Sequence, residues 1–169
     1  MNAVIRALNP SEIECRIKTC NKEKGVSLLL YKTARTDASI LDETFGNMNW
    51  QDSYQEIDGK LFCTISIWDE EKKQWISKQD CGTESYTEKE KGQSSDAFKR
   101  AGFKWGIGRE LYSAPKLIWV SSSDIKDWSN SGQPYDNFKV KYIKIESNKI
   151  VQLIIYNAKT KKDVYTYGV

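Results

Sequence analysis

Three consecutive β-type segments separated by short turns constrain the fold more than any other feature of the chain. Trp50–Glu56, Lys60–Trp68 and Trp75–Cys81 alternate apolar and polar residues with the period of two that a half-buried strand requires. Asp58-Gly59, between the first two, is the dipeptide of a tight two-residue hairpin. Asp69–Lys73 gives a looser turn before the third segment. We therefore predict an antiparallel β-meander.

A long helical segment follows this meander. It extends from Thr87 to Tyr112, where Thr87 and Glu90 have the spacing of a capping box and Pro115 lies just beyond the end. A helix placed directly after three antiparallel strands can cover the apolar face of their sheet. We therefore predict an α+β fold with a β-β-β-α core, in which the meander packs on one long helix.

Helix and strand signals also occur before the meander. Asn9 and Glu12 have the spacing of another capping box, which predicts a helix that runs to about Asn21. A buried strand over Val26–Arg35 and a short helix over Thr36–Phe45 are predicted to follow.

After the long helix the sequence predicts a short strand, a polar loop and a small β unit. Leu117–Val120 is apolar and β-rich, whereas residues 121–137 are polar and rich in turn formers. We therefore assign residues 1–120 to a core domain, 121–137 to a loop, and 138–169 to a C-terminal β extension of the same domain. The predicted strands of this extension are Phe138–Glu146, Lys149–Asn157 and Val164–Val169.

The net charge of +3 is unevenly divided along the 169 residues. Residues 1–85 contain 11 Lys and Arg against 14 Asp and Glu, whereas residues 86–169 contain 15 against 9. A basic half of this kind indicates either a polyanionic partner or simply a soluble charged surface.

The residue types present disfavour metal-dependent and hydrolytic chemistry. The chain contains no histidine, and its four cysteines match no zinc-binding spacing. Histidine is the commonest general base and metal ligand at neutral pH, so we expect no catalytic residue, no metal and no cofactor. The first residues contain no apolar run typical of a signal peptide, and no segment has the length of a membrane span. We therefore expect a cytoplasmic protein without a membrane partner.

The stretch SSDAFKRAGFKWGIGRELY, residues 94–112, combines cations, aromatic residues and glycines in one predicted helix. At about 100° per residue, one stripe forms the predicted core face. This stripe consists of Phe98, Ala101, Trp105, Gly108 and Tyr112. The remaining arc carries Lys91, Lys99, Arg100, Lys104 and Arg109. Phe103 falls between Lys99 and Arg100 on the solvent side, where its ring could stack on bases of a single strand or contact another subunit.

Gly102 and Gly106 lie beside Lys99 in this projection. A glycine inside a helix costs about 1 kcal/mol relative to alanine, so each needs a structural reason. One explanation is tight packing against another element. The other is close approach of a sugar-phosphate backbone along a smooth strip edged by cations. The sequence leaves both explanations open.

The same segment contains a recognisable combination of motifs. The string SDAFKRAGFKWGIGRELY, preceded by the meander and by DETFGNMNW, resembles the single-strand annealing proteins of the RAD fifty-two type, in particular their bacteriophage-encoded branch. The resemblance covers about residues 26–120. It implies recombinase protomers that assemble into rings or helical arcs. Such assemblies bind single-stranded DNA and anneal complementary strands without ATP, in homologous recombination and DNA repair.

The resemblance also implies where the protein acts and which residues contact DNA. The expected location is the nucleoid in the cytoplasm of a bacterial host, with a single-strand-binding protein or an exonuclease as a candidate partner. DNA contacts carry over to Lys99 and Arg100 of the KRA motif, and to the basic region before the short helix, here Lys32 and Arg35. Some family members have a further cation where this chain has Phe103, so the corresponding phosphate contact is either absent here or shifted to Lys104. The complete predicted DNA-binding set is Lys32, Arg35, Lys91, Lys99, Arg100, Phe103, Lys104 and Arg109.

Three other functions fit the sequence less well. A passive module could coat single strands without pairing them, and an interaction domain could use the Tyr and Trp residues at a protein interface. A metal-dependent nuclease is suggested by the acid-x-Lys string Asp58-Gly59-Lys60, with Asp42, Asp52 and Glu56 upstream. However, Asp-Gly is also the expected chemistry of a hairpin turn, which makes the nuclease the weakest of these alternatives.

Overall fold

A computed structural model describes residues 3–83 and 89–169, with the side chains of residues 89–91 left undescribed. Within these residues the chain forms two α-helices and nine strands, and both of its sheets are antiparallel. The predicted α+β class is therefore confirmed. In chain order the elements are β1 (Glu14–Asn21), β2 (Gly25–Tyr31), α1 (Ala34–Phe45), β3 (Trp50–Ile57), β4 (Lys60–Asp69), β5 (Gln74–Cys81), α2 (Lys89–Trp105), β6 (Ile118–Ser121), β7 (Phe138–Glu146), β8 (Lys149–Asn157) and β9 (Asp163–Tyr167).

The elements form two compact units. The first consists of the residues up to Arg6 together with Thr33–Gly108, and contains both helices and the strands β3 to β5. The second consists of Ala7–Lys32 and Arg109–Val169, and contains the other six strands. The second unit therefore combines residues from all three predicted segments, 1–120, 121–137 and 138–169, whereas the first lies within residues 1–120. No helix of the described residues is long and apolar enough to cross a bilayer.

The meander in the first unit is as predicted. Its strands are ordered β3-β4-β5, and the turn between β3 and β4 has φ of 50° at Asp58 and 72° at Gly59. Two consecutive positive φ values are typical of the tight turn that Asp-Gly favours. On β4 the alternate residues Cys63, Ile65 and Ile67 are buried, and β4 and β5 both pack against α2. The helix thus covers the apolar face of this sheet.

Helix α2 is shorter than the sequence predicts. It ends at Trp105, because Gly106 and Gly108 adopt φ of 107° and 68°, and residues 109–113 continue as a 3₁₀-helix. The predicted continuation to Tyr112 and the place of Tyr112 on the core face are both wrong, since this side chain is 76% exposed. The predicted start at Thr87 lies outside the described residues.

The contact between α2 and α1 explains a glycine that the sequence left ambiguous. Ala97, Phe98 and Ala101 of α2 are buried, and so is Gly102. A Cβ atom at Gly102 would lie 2.6 Å from Oδ2 of Asp37 in α1. Tight packing therefore accounts for Gly102, whereas Gly106 lies beyond the end of the helix. The alternative of a glycine strip for a sugar-phosphate backbone is wrong.

The second unit contains a six-stranded sheet with the order β6-β2-β1-β7-β8-β9. Its two end strands, β6 and β9, also contact each other, so the sheet curls into a barrel-like form. The predicted strand bounds after residue 138 agree closely with β7, β8 and β9. The expectation of a fold built on one meander with a small extension is wrong, because β7 joins these strands to β1 through the pair Glu14↔Lys139.

The N-terminal segment begins as predicted and then departs from the prediction. The backbone N–H of Asn9 donates to Oε2 of Glu12 at 2.8 Å, as in a capping box. The turn is only a 3₁₀-helix over Pro10–Glu12, and β1 follows. The predicted helix to Asn21 is wrong because ECRIKTCN alternates partly buried and exposed residues, as a strand does.

The strand and the helix that follow are displaced from their predicted bounds. The predicted strand Val26–Arg35 ends four residues earlier, with β2 finishing at Tyr31. Helix α1 begins at Ala34, and the side chain of Thr33 accepts a hydrogen bond from the backbone N–H of Thr36 as its N-cap. Thr33 has the same capping chemistry as Thr36, at which the helix was predicted to begin.

A buried polar network stabilises the second unit. Asp136 accepts hydrogen bonds from the backbone N–H groups of Lys126 and Asp127 at 2.7 and 3.1 Å, and from the Nδ2 atom of Asn157. Asn157 is fully buried and its Nδ2 atom also donates to the carbonyl of Asp124 at 3.0 Å. Burial alone would raise the pKa of Asp136, but these hydrogen bonds outweigh it and hold the pKa below its ordinary value.

We expect Asp136→Asn to lower the free energy of unfolding by about 2 to 3 kcal/mol at pH 7, because it replaces a charged acceptor by a neutral amide that also presents donors. A carboxylate with a lowered folded-state pKa stabilises the protein above its ordinary pKa of about 3.9, and this stabilisation is lost as the pH falls through the folded value. The wild type should therefore lose more stability than the variant on acidification. Urea unfolding at pH 7, 5 and 3 measures both effects, with the exposed hairpin variant Asp58→Asn as the control. Equal pH dependence of wild type and Asp136→Asn would contradict this role.

Candidate nucleic-acid interface

Strand β5 places charged side chains along one flank of α2. Its residues Lys78 and Asp80 pair across the sheet with Ile65 and Cys63, which belong to the buried face of β4. Directly opposed residues in antiparallel strands project from the same face, so Lys78 and Asp80 point to the side that α2 covers. Because β5 is the last strand of this sheet, their long side chains reach the flank of the helix.

Asp80 lies between two cations of α2. Nε of Arg100 is 3.8 Å from Oδ1 of Asp80, and Nζ of Lys104 is 3.7 Å from Oδ2. Both distances exceed the roughly 2.7 to 2.9 Å of a direct charge-assisted hydrogen bond, so each pairing is loose. Oδ1 of Asp80 instead accepts a hydrogen bond from the backbone N–H of Cys81 at 2.8 Å. A single carboxylate thus partly compensates two half-exposed cations.

Lys78 adds a third cation at the C-terminal end of α2. Its Nζ atom donates to the backbone carbonyl of Lys104 at 3.0 Å, where the end of a helix presents free carbonyl groups. Nζ of Lys104 donates in turn to the carbonyl of Gln79 on β5. We define the cation cluster as Lys78, Arg100 and Lys104 around Asp80. Lys78 is not in the predicted DNA-binding set, although its position two residues before Asp80 in a predicted strand indicated the same face.

Trp105 fixes the base of the cation cluster. Its ring packs against Phe45 with centroids 6.4 Å apart, and its Nε1 atom donates to the carbonyl of Ile65 at 3.1 Å. Nζ of Lys78 lies 4.4 Å from the centre of the Trp105 ring, within the range of a cation–π interaction. Next to these residues is a cavity of about 250 Å³, also lined by Trp68. The cluster therefore adjoins an aromatic recess.

Lys99 and Arg100, which were predicted to contact DNA together, lie on different flanks of α2. Adjacent residues of a helix are separated by about 100° around its axis, so Lys99 projects to the flank opposite Arg100 and Lys104. Its ammonium forms no ion pair or hydrogen bond with any residue that the structure describes. Phe103 is partly buried, not fully exposed as predicted.

The remaining members of the predicted DNA-binding set are scattered. Arg35 is exposed in the first turn of α1. The side chain of Lys91 lies outside the described part of the chain. Lys32, which is only 8% exposed, and the exposed Arg109 belong to the second unit. The structure therefore brings Arg100 and Lys104 together, and adds Lys78 to them.

The acid-x-Lys string has a structural explanation. Asp58 and Gly59 form the tight turn between β3 and β4, and Oδ1 of Asp42 accepts a hydrogen bond from Nε1 of Trp50 at 2.8 Å. Within residues 3–83 and 89–169, no group of three or more Cys, Asp or Glu side chains is placed to hold a metal ion. The hairpin interpretation of this string is thus supported by its geometry.

A scan against protein-family models found no match, and a search of curated proteins found none either.

We expect Trp105→Ala to lower the free energy of unfolding by about 3 kcal/mol, since it removes a large packed ring and its hydrogen bond. Lys78→Met keeps the aliphatic stem and removes the charge. Because the ammonium lies over the ring, a double-mutant cycle between these two changes should give a coupling energy of about 0.5 to 1 kcal/mol. Urea unfolding of the four proteins measures it.

Trp75→Ala is the matched control for this cycle. Trp75 is 41% exposed and contacts Trp68 edge to face at 5.6 Å, away from Lys78. It should cost less stability than Trp105→Ala and show no coupling to Lys78→Met. Additive effects of Lys78→Met and Trp105→Ala would contradict the cation–π contact.

Proposed function

We propose that this protein binds single-stranded DNA and anneals complementary strands without ATP, as the sequence resemblance implies. The observation that carries the proposal is the cation cluster. Arg100 and Lys104 share the carboxylate of Asp80 on a half-exposed flank of α2, and the ammonium of Lys78 lies at the end of this helix beside an aromatic recess. Excess positive charge next to aromatic rings is the combination that proteins use to hold phosphates and unpaired bases.

The geometry of Asp80 suits exchange of partners. Nζ of Lys104 and Nε of Arg100 lie 3.7 and 3.8 Å from the carboxylate of Asp80, beyond the distance of a direct charge-assisted hydrogen bond. A phosphate that approaches from solvent can therefore bind these cations without first breaking a close salt bridge to Asp80. Exposed ion pairs of this type contribute only about 0 to 1 kcal/mol, so little stability is lost in the exchange.

Annealing needs no chemical step by the protein. Each stacked base-pair step of a duplex releases about 1.4 kcal/mol on average, so pairing supplies its own driving force. A protein accelerates it by holding the backbone extended while the bases remain free to test a second strand. Such binding must be broad and reversible, and the cation cluster offers phosphate contacts without a deep groove around the bases.

An array of protomers would give these few contacts useful affinity, because linked sites raise the effective concentration of each other. Strand β3 offers a surface for such assembly. It is an end strand of its sheet, and all of its residues after Trp50 are exposed. An exposed edge strand presents unpaired backbone groups that can pair with a second copy. A ring or helical homo-oligomer therefore forms part of the proposal.

We expect Arg100→Ala and Lys104→Ala each to weaken the binding of oligo(dT), with a slope of log K against log salt that falls by about 0.7 per lost phosphate contact. Asp80→Asn should have the opposite effect, because its amide keeps an acceptor for the N–H of Cys81 but removes the competing charge. Fluorescence anisotropy at several salt concentrations measures the affinities. Lys60→Ala, in the hairpin turn of the same unit, is the charge-matched control. Weaker binding by Asp80→Asn would argue against phosphate contacts at the cluster.

The annealing step requires its own measurement. We expect complementary labelled oligonucleotides to form duplex faster with the protein than without it, in the absence of ATP and Mg²⁺, and more slowly with Arg100→Ala. If both strands are bound and protected but never paired, the protein is a passive coat. If labelled strands are degraded when Mg²⁺ is added, the nuclease alternative replaces this proposal.

A further inference from the structure

The basic excess of the chain belongs to the six-stranded unit. The residues of this unit include 15 Lys and Arg against 9 Asp and Glu, whereas the unit with both helices has 11 against 14. The cation cluster lies in the unit with both helices and accounts for none of the basic excess. The surface of the six-stranded sheet is therefore the place to look for a further anion-binding feature.

One row of side chains crosses five strands of this sheet. Tyr31 of β2 pairs with Glu14 of β1, Glu14 with Lys139 of β7, Lys139 with Tyr156 of β8, and Tyr156 with Asp163 of β9. Residues directly opposed in antiparallel strands project from the same face, so these five side chains form one continuous row. Their chain neighbours on the other face, such as Leu30, Val140 and Ile155, are buried in the core. We refer to the five as the cross-strand row.

The cross-strand row lies along two cavities. β1 and β7 share the single pair Glu14↔Lys139, and a cavity of about 650 Å³ lies where they diverge. It is lined by all members of the row except Asp163, together with Asn137 and other residues. A second cavity, of about 370 Å³, is lined by Tyr156 and Asp163 together with Lys141 and Lys161. Tyr156 is thus shared by both cavities.

The charges at these cavities favour an anionic ligand. Lys139 and Lys161 are exposed, and their ammonium groups form no ion pair or hydrogen bond with any residue among those described. Lys141 differs, because its Nζ atom contacts both oxygens of Asp163 at 2.8 and 2.9 Å. Two lysines without an ion pair in the described part of the chain, Lys139 and Lys161, therefore line the cavities that share Tyr156.

The other groups at the cavities favour unpaired bases. The partly buried ring of Tyr156 offers a face for stacking, which contributes about 1 to 3 kcal/mol per base in single-strand binding proteins. Glu14 accepts a hydrogen bond from the hydroxyl of Tyr31 and retains further lone pairs. Its carboxylate and the amide oxygen of Asn137 can accept hydrogen bonds from the ring N–H of an unpaired thymine and from the exocyclic amino groups of other bases. A duplex keeps its bases stacked inside and could not use these groups.

We propose that the cross-strand row is a second contact surface for a single nucleic-acid strand, with phosphates at Lys139 and Lys161 and a base against Tyr156. Occupancy of this surface does not require annealing, so it extends beyond the proposed function. It would place two single-strand contact surfaces on one chain, one in each compact unit.

The first test locates the strand by photo-crosslinking. The full-length protein is irradiated with an oligo(dT) in which 5-bromodeoxyuridine replaces thymidine, and crosslinked peptides are identified by mass spectrometry. We expect crosslinks at Tyr156 as well as in the first unit. Two outcomes would overturn the inference. One is that all crosslinks fall within residues 33–108. The other is that an excess of competing duplex removes the Tyr156 crosslink as completely as an excess of competing oligo(dT) does.

The second test removes the charges. In a protein that carries both Arg100→Ala and Lys104→Ala, oligo(dT) binding should persist. Further substitution of Lys139 and Lys161 by Ala should abolish most of this binding, and the slope of log K against log salt should fall by about 0.7 for each lysine. The charge-matched control substitutes Lys22 and Lys126, two exposed lysines of the same unit, by Ala. If both lysine pairs lower the affinity for oligo(dT) equally, the effect comes from net charge alone and no defined binding surface exists. Tyr156→Phe should keep the affinity and Tyr156→Leu should lower it, whereas equal affinities would reject stacking.

These outcomes are separable from those of the proposed function. If the wild type binds at the cross-strand row but does not accelerate duplex formation, the annealing proposal fails and this surface stands. If annealing depends on Arg100 but the loss of Lys139 and Lys161 has the same effect as the loss of Lys22 and Lys126, the surface fails and the annealing proposal stands.

Discussion

The packing of α2 on the apolar face of β4 determines where every charged group of the cation cluster lies. Ala97, Phe98 and Ala101 bury the helix against the sheet, and Trp105 donates a hydrogen bond to the backbone of β4. With this face fixed, the helix step of about 100° leaves Arg100 and Lys104 on the flank next to β5. The strand period of two then places Lys78 and Asp80 opposite them. Two simple periodicities, joined by one hydrophobic contact, thus assemble a charged site from residues far apart in the chain.

The meander and the strands after residue 138 were predictable because their signals are local. Asp58-Gly59 and Ser147-Asn148 are turns with positive φ, which Asp58, Gly59 and Asn148 favour as residue types, and the segments between turns alternate regularly. The N-terminal helix was predicted wrongly because a genuine capping box at Asn9 was followed by a segment with strand alternation. Pairing with β2 and β7 is a tertiary effect that no local signal records.

The candidate site was predictable only in part, for the same reason. A projection of the helix placed Arg100 and Lys104 on a polar arc but could not show which flank meets a neighbouring strand. Asp80 and Lys78 enter through strand pairing, and the requirement for glycine at position 102 comes from Asp37 in another helix. Trp105 was correctly expected to pack, whereas Tyr112 was not, because Gly106 and Gly108 end the helix before it. The position of a side chain cannot be predicted from local sequence when it depends on a partner from elsewhere in the chain.

Net charge and local charge lead to different conclusions in this protein. The basic second half of the sequence contains the long helix, yet the unit that contains this helix has more acidic than basic residues. At physiological ionic strength the Debye length is about 8 Å, so a phosphate responds mainly to the charges within that distance. In the proposed function, the cluster around Asp80 attracts a strand although its unit is acidic, because its three cations are close together. In the further inference, the excess of the six-stranded unit contributes to binding where lysines without an ion pair among the described residues lie next to the ring of Tyr156.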